Sequence, residues 1–383
     1  MQAVYQGDWR SPEFLADPYP HYKALREKDP VHYDASRGHW LLTRYRDIVQ
    51  VLRDDERFSA AQGAANSMLV SDPPDHSRLR GLVNKAFSAG MVRSLEPRIR
   101  EIVECLLDTA AEREQMDVIA DFAYPLPLTV IAELLGVEPE KRDFFRRAST
   151  KIAIALGPAT DAAIAMRAVE GRNELLVYFD SLIQKRRDEP RSDLVSALIQ
   201  AEEAGTFLGH GELLAMLLLL LVGGHETTVN LIGNGLLALL HHPQPFALLA
   251  EEPGCEKRAV EELLRWDSPV QYSGRVAKED LELGGKTIRA GQTLRLILGS
   301  ANRDPEVFTD PDSLDLRREP CPHVAFGAGI HFCLGGQLAR LEGQIALSSL
   351  VRRFPGMRLA TEALRWRQAP VLRGLEALPV RLL

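Results

Sequence analysis

At 383 residues, 45% of them hydrophobic and 26% charged, the chain can bury a large core and has the balance of a water-soluble globular protein. A formal charge of -7 gives it no general attraction to nucleic acid or anionic lipid. Its cysteines, Cys105, Cys255, Cys321 and Cys333, show neither a C-x-x-C pair nor the spacing of a disulfide framework, so a reducing, cytoplasmic location is expected. Met1 to Trp9 lacks the apolar core of a signal peptide.

Pro18 to Asp29 predicts a short helix with Tyr22 and Leu25 on one face. Val31-His32-Tyr33 and His39 to Thr43 flank the turn Asp34 to Gly38, the pattern of a hairpin. Asp47 to Asp54 predicts another helix, and Ser71-Asp72-Pro73-Pro74-Asp75 a turn ahead of the next. From His76 to about Gly136 the pattern is mostly helical, broken near Ser88-Ala89-Gly90 and Tyr124-Pro125-Leu126-Pro127. Helical periodicity runs on from Lys141 to Leu240, interrupted at Asp188-Glu189-Pro190 and Gly205. The apolar run Leu213 to Val222 within it is too short to span a bilayer and reads as a buried helix segment, not a membrane anchor. Leu281 to Ile288 and Thr293 to Leu298 read as short strands around turns, and Trp366 to Leu382 looks similar. The expectation is a mainly α chain with small β-sheets, one domain over residues 1–383, β-rich near 30–43, 281–300 and 366–382.

One loop concentrates the chemistry: Phe326-Gly327-Ala328-Gly329-Ile330-His331-Phe332-Cys333-Leu334-Gly335-Gly336. A phosphate loop would need Gly-Lys-Ser/Thr and a clean preceding strand, which are missing. His331 and Cys333 alone are too few for a zinc site. A plain buried cysteine is the bland alternative, weakened by glycines that give up backbone entropy without adding packing. A thiolate facing a bulky planar object suits the loop better. The positive end of a helix starting near Gly335 favours the thiolate, loop N–H groups can donate to sulfur, and Phe326 can screen it from water.

The pattern Phe326-Gly327-x-Gly329-x-His331-x-Cys333-x-Gly335 resembles the haem-binding signature of the cytochrome P450 family in its soluble bacterial form. The resemblance implies a triangular-prism-like helical body carrying heme b (iron protoporphyrin IX), with Cys333 as the metal ligand and Phe326 beside it. Distant segments agree. Leu221 to Asn230 places Gly223, Gly224, Glu226 and Thr227 inside a long helix, where each glycine costs roughly 1 kcal/mol relative to alanine. A tight helix crossing would explain the glycines, and a helix lying against a ligand would explain the hydroxyl and carboxylate as well. The segment is similar to the family's oxygen-activating helix, which makes Thr227 the catalytic hydroxyl and Glu226 its aid in proton delivery, with His225 structural or pocket-lining. Glu262 and Arg265 share one helical face, by default a surface ion pair; the resemblance makes them a buried structural Glu-x-x-Arg pair. The arginine that the family usually supplies from a Pro-x-Arg-Phe stretch is absent from Pro311-Asp312-Ser313-Leu314; either Arg317 or Arg318 compensates or the local network differs. His76 and Arg80 match the family's propionate-binding helix, and Arg275 and His331 its other propionate contacts; buried carboxylates need such partners.

By family position the substrate pocket takes Met68, Leu69, Leu219, Gly223, Val270, Gln271 and Leu372. That set favours a small apolar organic substrate, with Gln271 as a polar contact. The Ala/Gly-rich stretch Ser59 to Met68 predicts a roomy or mobile entrance around residues 60–68. The resemblance implies a monomeric monooxygenase using O2, most simply for C–H hydroxylation. With no flavin or iron–sulfur segment in the chain, electrons would come from a separate ferredoxin and ferredoxin reductase. Arg78, Lys85, Arg93 and Arg340 are candidates for a basic docking patch on the thiolate side. A peroxide-driven haem enzyme and a non-catalytic haem-binding protein are the alternatives, both disfavoured by the Glu226-Thr227 pair.

Overall fold

The computed structural model describes residues 8–61, 67–156, 162–203, 208–369 and 371–382. Helices α1 (Pro12–Ala16) and α2 (Tyr19–Lys28) lead into the hairpin β1 (Val31–Asp34) and β2 (His39–Leu42), then α3 (Tyr45–Arg53) and β3 (Phe58–Ser59). Next come α4 (Asp75–Ala86), α5 (Ala89–Ser94), α6 (Glu96–Ala111), the short β4 (Gln115–Asp117) and α7 (Pro125–Leu134). The helical body continues with α8 (Arg142–Ala153), α9 (Ala162–Asp188), α10 (Leu194–Glu203), α11 (His210–His241), α12 (Pro243–Glu251) and α13 (Glu256–Trp266). Strands β5 (Ser273–Ala277), β6 (Leu281–Leu283), β7 (Lys286–Ile288) and β8 (Thr293–Leu296) precede α14 (Leu298–Ala301). Helix α15 (Gly336–Arg353) and strands β9 (Arg358–Leu359) and β10 (Pro379–Arg381) follow. The chain is mainly helical with small sheets, as expected.

The larger sheet has the order β1-β2-β8-β5-β3, parallel only between β2 and β8. Strand β4 lies inside a stretch that reads as helix; at three residues it is too short for alternation to register, and it forms because β10 offers it an edge. The break expected at Tyr124 to Pro127 is a junction instead. A π-helical turn, Ile119–Ala123, runs into α7, where Pro125 takes a first-turn position that needs no N–H donor. Gly205 and most of the 60–68 stretch lie outside the described residues, so the expectations placed on them have no counterpart here.

Helix α11 is the axis of the fold, packed on α7, α8, α9, α12, α13 and α15. By length and composition it could cross a membrane, but 67% of its apolar window is buried inside the fold, which makes it a core helix. Small residues let its neighbours come close. A Cβ on Gly343 of α15 would meet Leu231 of α11 at 2.9 Å, and one on Gly235 would meet Leu263 and Leu347 at 3.3 Å. This close seam between α11 and α15 runs beside the cysteine loop, which feeds directly into α15.

Candidate active site

The cysteine loop is fixed from within and from below. The Cys333 N–H donates to the Phe326 carbonyl at 2.9 Å, and a 3-10 turn, Gly329–His331, closes the loop. Beneath it the Arg340 guanidinium lies 4.4 Å from the Phe326 ring centroid. Arg340 in turn donates twice to Glu261, at 2.6 and 2.9 Å. Glu261 also meets His323 Nε2 at 3.0 Å; since His323 Nδ1 accepts from the Ala325 N–H, Nε2 carries the proton. The Cys333 side chain is open to water yet enclosed by protein on most sides, as befits the wall of a cleft. Burial pushes its thiol up, while the Gly335 N–H, Arg80, Arg340 and the Gly336 N–H oppose the rise. A metal ion on the sulfur would ionise it outright.

Four cation-forming side chains meet on one side of this cleft. His76 is buried, with no partner on either ring nitrogen among the described residues. Its ring lies 4.2 Å from that of His331, whose Nε2 is also unpaired. Arg275 donates only to its neighbours, Ser273 Oγ at 3.3 Å and the Gly274 carbonyl at 2.7 Å. Arg80 has no side-chain partner among the described residues. Burial, then Arg275 and His76, bring His331 down to about 3, and burial likewise lowers His76, Arg80 and Arg275. The nearby acid, Asp72, already accepts from Ser59 Oγ at 2.6 Å and the Ala60 N–H at 2.9 Å. Under-partnered donors of this kind, with no ion pair to an acid among the described residues, fit a ligand bearing carboxylates.

On α11, Leu219, Gly223 and Thr227 stand four residues apart along one stripe, and none of the three is buried. The two glycines differ in use. A Cβ on Gly224 would press on Ile131 at 3.0 Å, whereas one on Gly223 meets nothing within 4 Å. Thr227 Oγ1 donates to the Gly223 carbonyl at 3.1 Å, so its hydroxyl rests on the helix at the edge of the open space. Glu226 leaves the helix in another direction and is fully buried. It accepts from Tyr124 Oη at 3.0 Å, Thr150 Oγ1 at 3.4 Å and Arg367 Nη1 at 2.8 Å. Burial would raise its carboxyl, but His225, then Arg367 and Tyr124, outweigh this and hold it at about 2. His225 is a buried structural group: Nδ1 donates to the Leu221 carbonyl at 2.7 Å, and Nε2 lies 3.0 Å from Ser149 Oγ. Tyr124, Ser149, Thr150 and Arg367 come from separate parts of the chain with no motif of their own, so the sequence gives no sign that they converge.

Glu262 and Arg265 form a fully buried pair, with bonds of 2.7 Å from both Arg265 Nε and Arg265 Nη2. Arg318 supplies the replacement cation, donating to Glu262 Oε2 at 3.0 Å, while Arg317 turns away to Glu252 at 2.6 Å. Of the expected pocket residues, Val270 and Leu372 face each other in an isolated antiparallel bridge. Met68 is buried in the main core, and Leu69 beside it is 57% exposed. Gln271 is a correction: its side chain is buried and its Nε2 donates to the Ser268 carbonyl at 2.8 Å and Tyr19 Oη at 3.4 Å, so its amide holds the N-terminal helices. The basic patch also needs correcting. Arg78 is spent on Glu212 at 2.5 and 3.2 Å and Arg340 on Glu261, which leaves Lys85 and Arg93 exposed without an ion partner among the described residues.

An accessible thiol on a glycine-rich loop, under-partnered histidines and arginines near it, and a long core helix with an unburied threonine fit the site of a haem-thiolate oxygen-activating enzyme. The family model for Cytochrome P450 matches residues 158–253 and 257–357. The chain is 44% identical to Cytochrome P450 107B1 of Saccharopolyspora erythraea, with 96% of each chain covered. It is 42% identical to the Vitamin D(3) 25-hydroxylase of Pseudonocardia autotrophica, over 98% of this chain and 96% of that one. Among solved structures, P450BioI in complex with hexadec-9Z-enoic acid ligated acyl carrier protein matches with a TM-score of 0.93 at 38% identity, over 97% of this chain and 99% of that one. The chain belongs to the cytochrome P450 family and is a haem-thiolate monooxygenase.

One glycine of the loop then carries a direct prediction. Gly329 has φ 72°, and a methyl there would overlap the Leu52 carbonyl of α3 and come within 3.1 Å of Arg53 Cα. Gly329→Ala is expected to strain the loop by at least ~1–3 kcal/mol and to lower the haem bound per chain, measured as haem absorbance against protein concentration. Full haem loading in a normally folded variant would contradict it.

Proposed function

We propose that this protein inserts one oxygen atom of O2 into a C–H bond of an apolar organic substrate, and that Cys333 would hold the iron of heme b through its thiolate. The observation that carries this reading is the cluster of His76, Arg80, Arg275 and His331 beside an accessible Cys333: among the described residues the His76 ring nitrogens and His331 Nε2 have no partner and no acid pairs with either arginine, so anionic propionates and a metal are the groups this cluster lacks. Bound haem would supply the reduction and cleavage of dioxygen and the transfer of oxygen.

The chain's own residues do the rest. Phe326 and Arg340 back the thiolate loop, and the two histidines and two arginines bind and orient the propionates. Thr227 keeps a hydroxyl proton at the open face of α11, parked on the Gly223 carbonyl. Glu226, held ionised, aligns that turn of the helix through Tyr124, Thr150 and Arg367. Leu219, Gly223, Leu69, Val270 and Leu372 make the apolar side of the pocket. Two relatives support an apolar substrate by their names, one a vitamin D(3) hydroxylase and the other bound with a fatty-acyl carrier protein. Electrons would arrive from a separate ferredoxin and its reductase, with Lys85 and Arg93 as the remaining candidates for contact. We read the protein as a cytoplasmic monomer.

The reduced, haem-loaded protein is expected to show the red-shifted carbonyl band of thiolate ligation, and Cys333→Ser to bind haem without it. A well-loaded wild-type protein lacking that band would falsify Cys333 as the ligand. Screening apolar compounds for a low-to-high spin shift would then identify the substrate class.

A further inference from the structure

The segment that carries Leu372 is held from two sides by groups the mechanism above does not use. Val270 and Leu372 face each other in a bridge closed by two backbone bonds, from the Gln271 N–H to the Val371 carbonyl at 2.9 Å and from the Arg373 N–H to the Pro269 carbonyl at 2.8 Å. On one side the segment rests directly on α11. Asn234 Nδ2 donates to the Arg373 carbonyl at 3.0 Å, and a Cβ on Gly374 would overlap the Asn230 amide. On the other side the Arg373 side chain reaches away from Leu372, as successive side chains of an extended segment do. Its buried guanidinium meets the N-terminal helices: Nε donates to Asp267 Oδ1 at 2.7 Å, and Nη1 and Nη2 donate to the Leu15 and Ala16 carbonyls. Those carbonyls end α1 and lack helical partners of their own. Tyr19, the first residue of α2, completes the clasp. Its hydroxyl donates to the same Asp267 oxygen at 2.7 Å, and burial and Asp267 push that hydroxyl up, so it stays a donor. Gln271, beside Val270, donates to the Tyr19 oxygen at 3.4 Å. Each member of the bridge therefore has a chain neighbour tied to the Tyr19–Asp267 pair.

We infer that Arg373 is a positioning residue for substrate selection: its clasp with Asp267 and Tyr19 sets how far Leu372 stands into the pocket, so the N-terminal helices tune which apolar molecules fit. The inference rests on the reading of Val270 and Leu372 as pocket wall. Leu372 has no polar side-chain tether, and apolar contact is non-directional, so its place follows from the backbone on either side. A planar guanidinium bonded to a carboxylate and two carbonyls fixes that backbone in direction as well as distance. Tyr19 and Asp267 are both buried, at the start of α2 and the end of α13, and act on a substrate through this segment.

The test uses the haem-loaded protein and two probes that ligate ferric iron through a ring nitrogen, imidazole and 4-phenylimidazole. Imidazole is too small to need the wall, whereas the phenyl ring must lie against it. Arg373→Gln should weaken 4-phenylimidazole on the order of 10-fold and Tyr19→Phe roughly threefold, with imidazole within about twofold of the parent in both. Tyr19→Phe keeps the ring and its packing, so it tests the clasp even where Arg373→Gln fails to fold around haem. Hydrogen exchange read by mass spectrometry is the second readout. Peptides covering 266–275 and 366–375 should speed up by a larger factor than those of α15. An unchanged ratio of the two affinities in Tyr19→Phe overturns the inference. So does a rise in exchange spread equally over the chain, which marks a general loss of stability. A parent protein without the red-shifted carbonyl band overturns the monooxygenase reading itself, a separate result.

Discussion

Arg265→Ala is expected to destabilise the protein by about 3–5 kcal/mol, enough to leave much of it unable to fold around haem. Arg265 and Glu262 are both fully buried, so neither charge can turn to water when its partner is lost. A guanidinium has five N–H donors, and all of Arg265's are committed. Nε and one Nη2 hydrogen go to Glu262, the other Nη2 hydrogen to the Ser313 carbonyl, and the Nη1 pair to the carbonyls of Asn302 and Pro311. Truncation strands the Asn302 and Pro311 carbonyls, leaves the Ser313 carbonyl only Arg318 at 3.2 Å, and leaves Glu262 with the Asp315 N–H at 2.9 Å and Arg318 at 3.0 Å. Asn302 extends the damage, because its Oδ1 accepts the Val324 N–H at 2.7 Å, just before the cysteine loop. Lysine should not rescue the variant, since one ammonium cannot reach carboxylate and carbonyls in a planar fork. Arg318→Ala should cost less, about 1–3 kcal/mol, because Arg265 still neutralises Glu262. Urea unfolding followed by tryptophan fluorescence and haem absorbance measures all three variants. An Arg265→Ala cost below about 1 kcal/mol, the range of a surface pair, would show that the network does not hold this region together.

This network also shows what the chain made legible. The Glu262/Arg265 spacing is readable because a helix brings residues three apart together, whatever else the fold does. Its third member stays open in the sequence, between Arg317, Arg318 and a different network, and the path of the loop decides it by turning Arg318 inward and Arg317 toward Glu252. The loop around Cys333 was legible for a similar reason: its glycines, cysteine and following helix are contiguous. Groups assembled from distant segments were not. Tyr124, Thr150 and Arg367 meet Glu226 because α7, α8 and the C-terminal segment happen to converge on α11, and a single hydroxyl in an apolar helix announces no partner. Gln271 was misread because its neighbour Val270 does sit in the bridge with Leu372, and the next side chain along an extended segment points the opposite way. Strand β4 escaped because it owes its existence to β10, far off in sequence.

Glu342→Gln should raise stability relative to the parent, and the gain should grow as pH rises from 4.5 to about 8. In the unfolded chain this carboxyl releases its proton near 4.5; in the folded protein burial delays release to about 8. Between those limits the native state holds a proton that the unfolded state has lost, so the unfolded state is favoured increasingly with pH. Below 4.5 both states are protonated and the penalty vanishes; above about 8 both are ionised and it levels off. At that limit the penalty is roughly 5 kcal/mol, less whatever water entering the seam relieves. Glutamine fills the same space, cannot ionise and escapes the penalty, while every other titrating group is common to both proteins and cancels in the difference. Denaturant midpoints of parent and variant, taken at steps across this window, give the difference directly. A difference that stays flat, or that turns against glutamine at high pH, would mean that Glu342 is ionised and paired in the folded protein. A rising difference would show a carboxyl that keeps its proton in the folded seam at neutral pH and weakens the fold there, because burial withholds the water that would stabilise its charge.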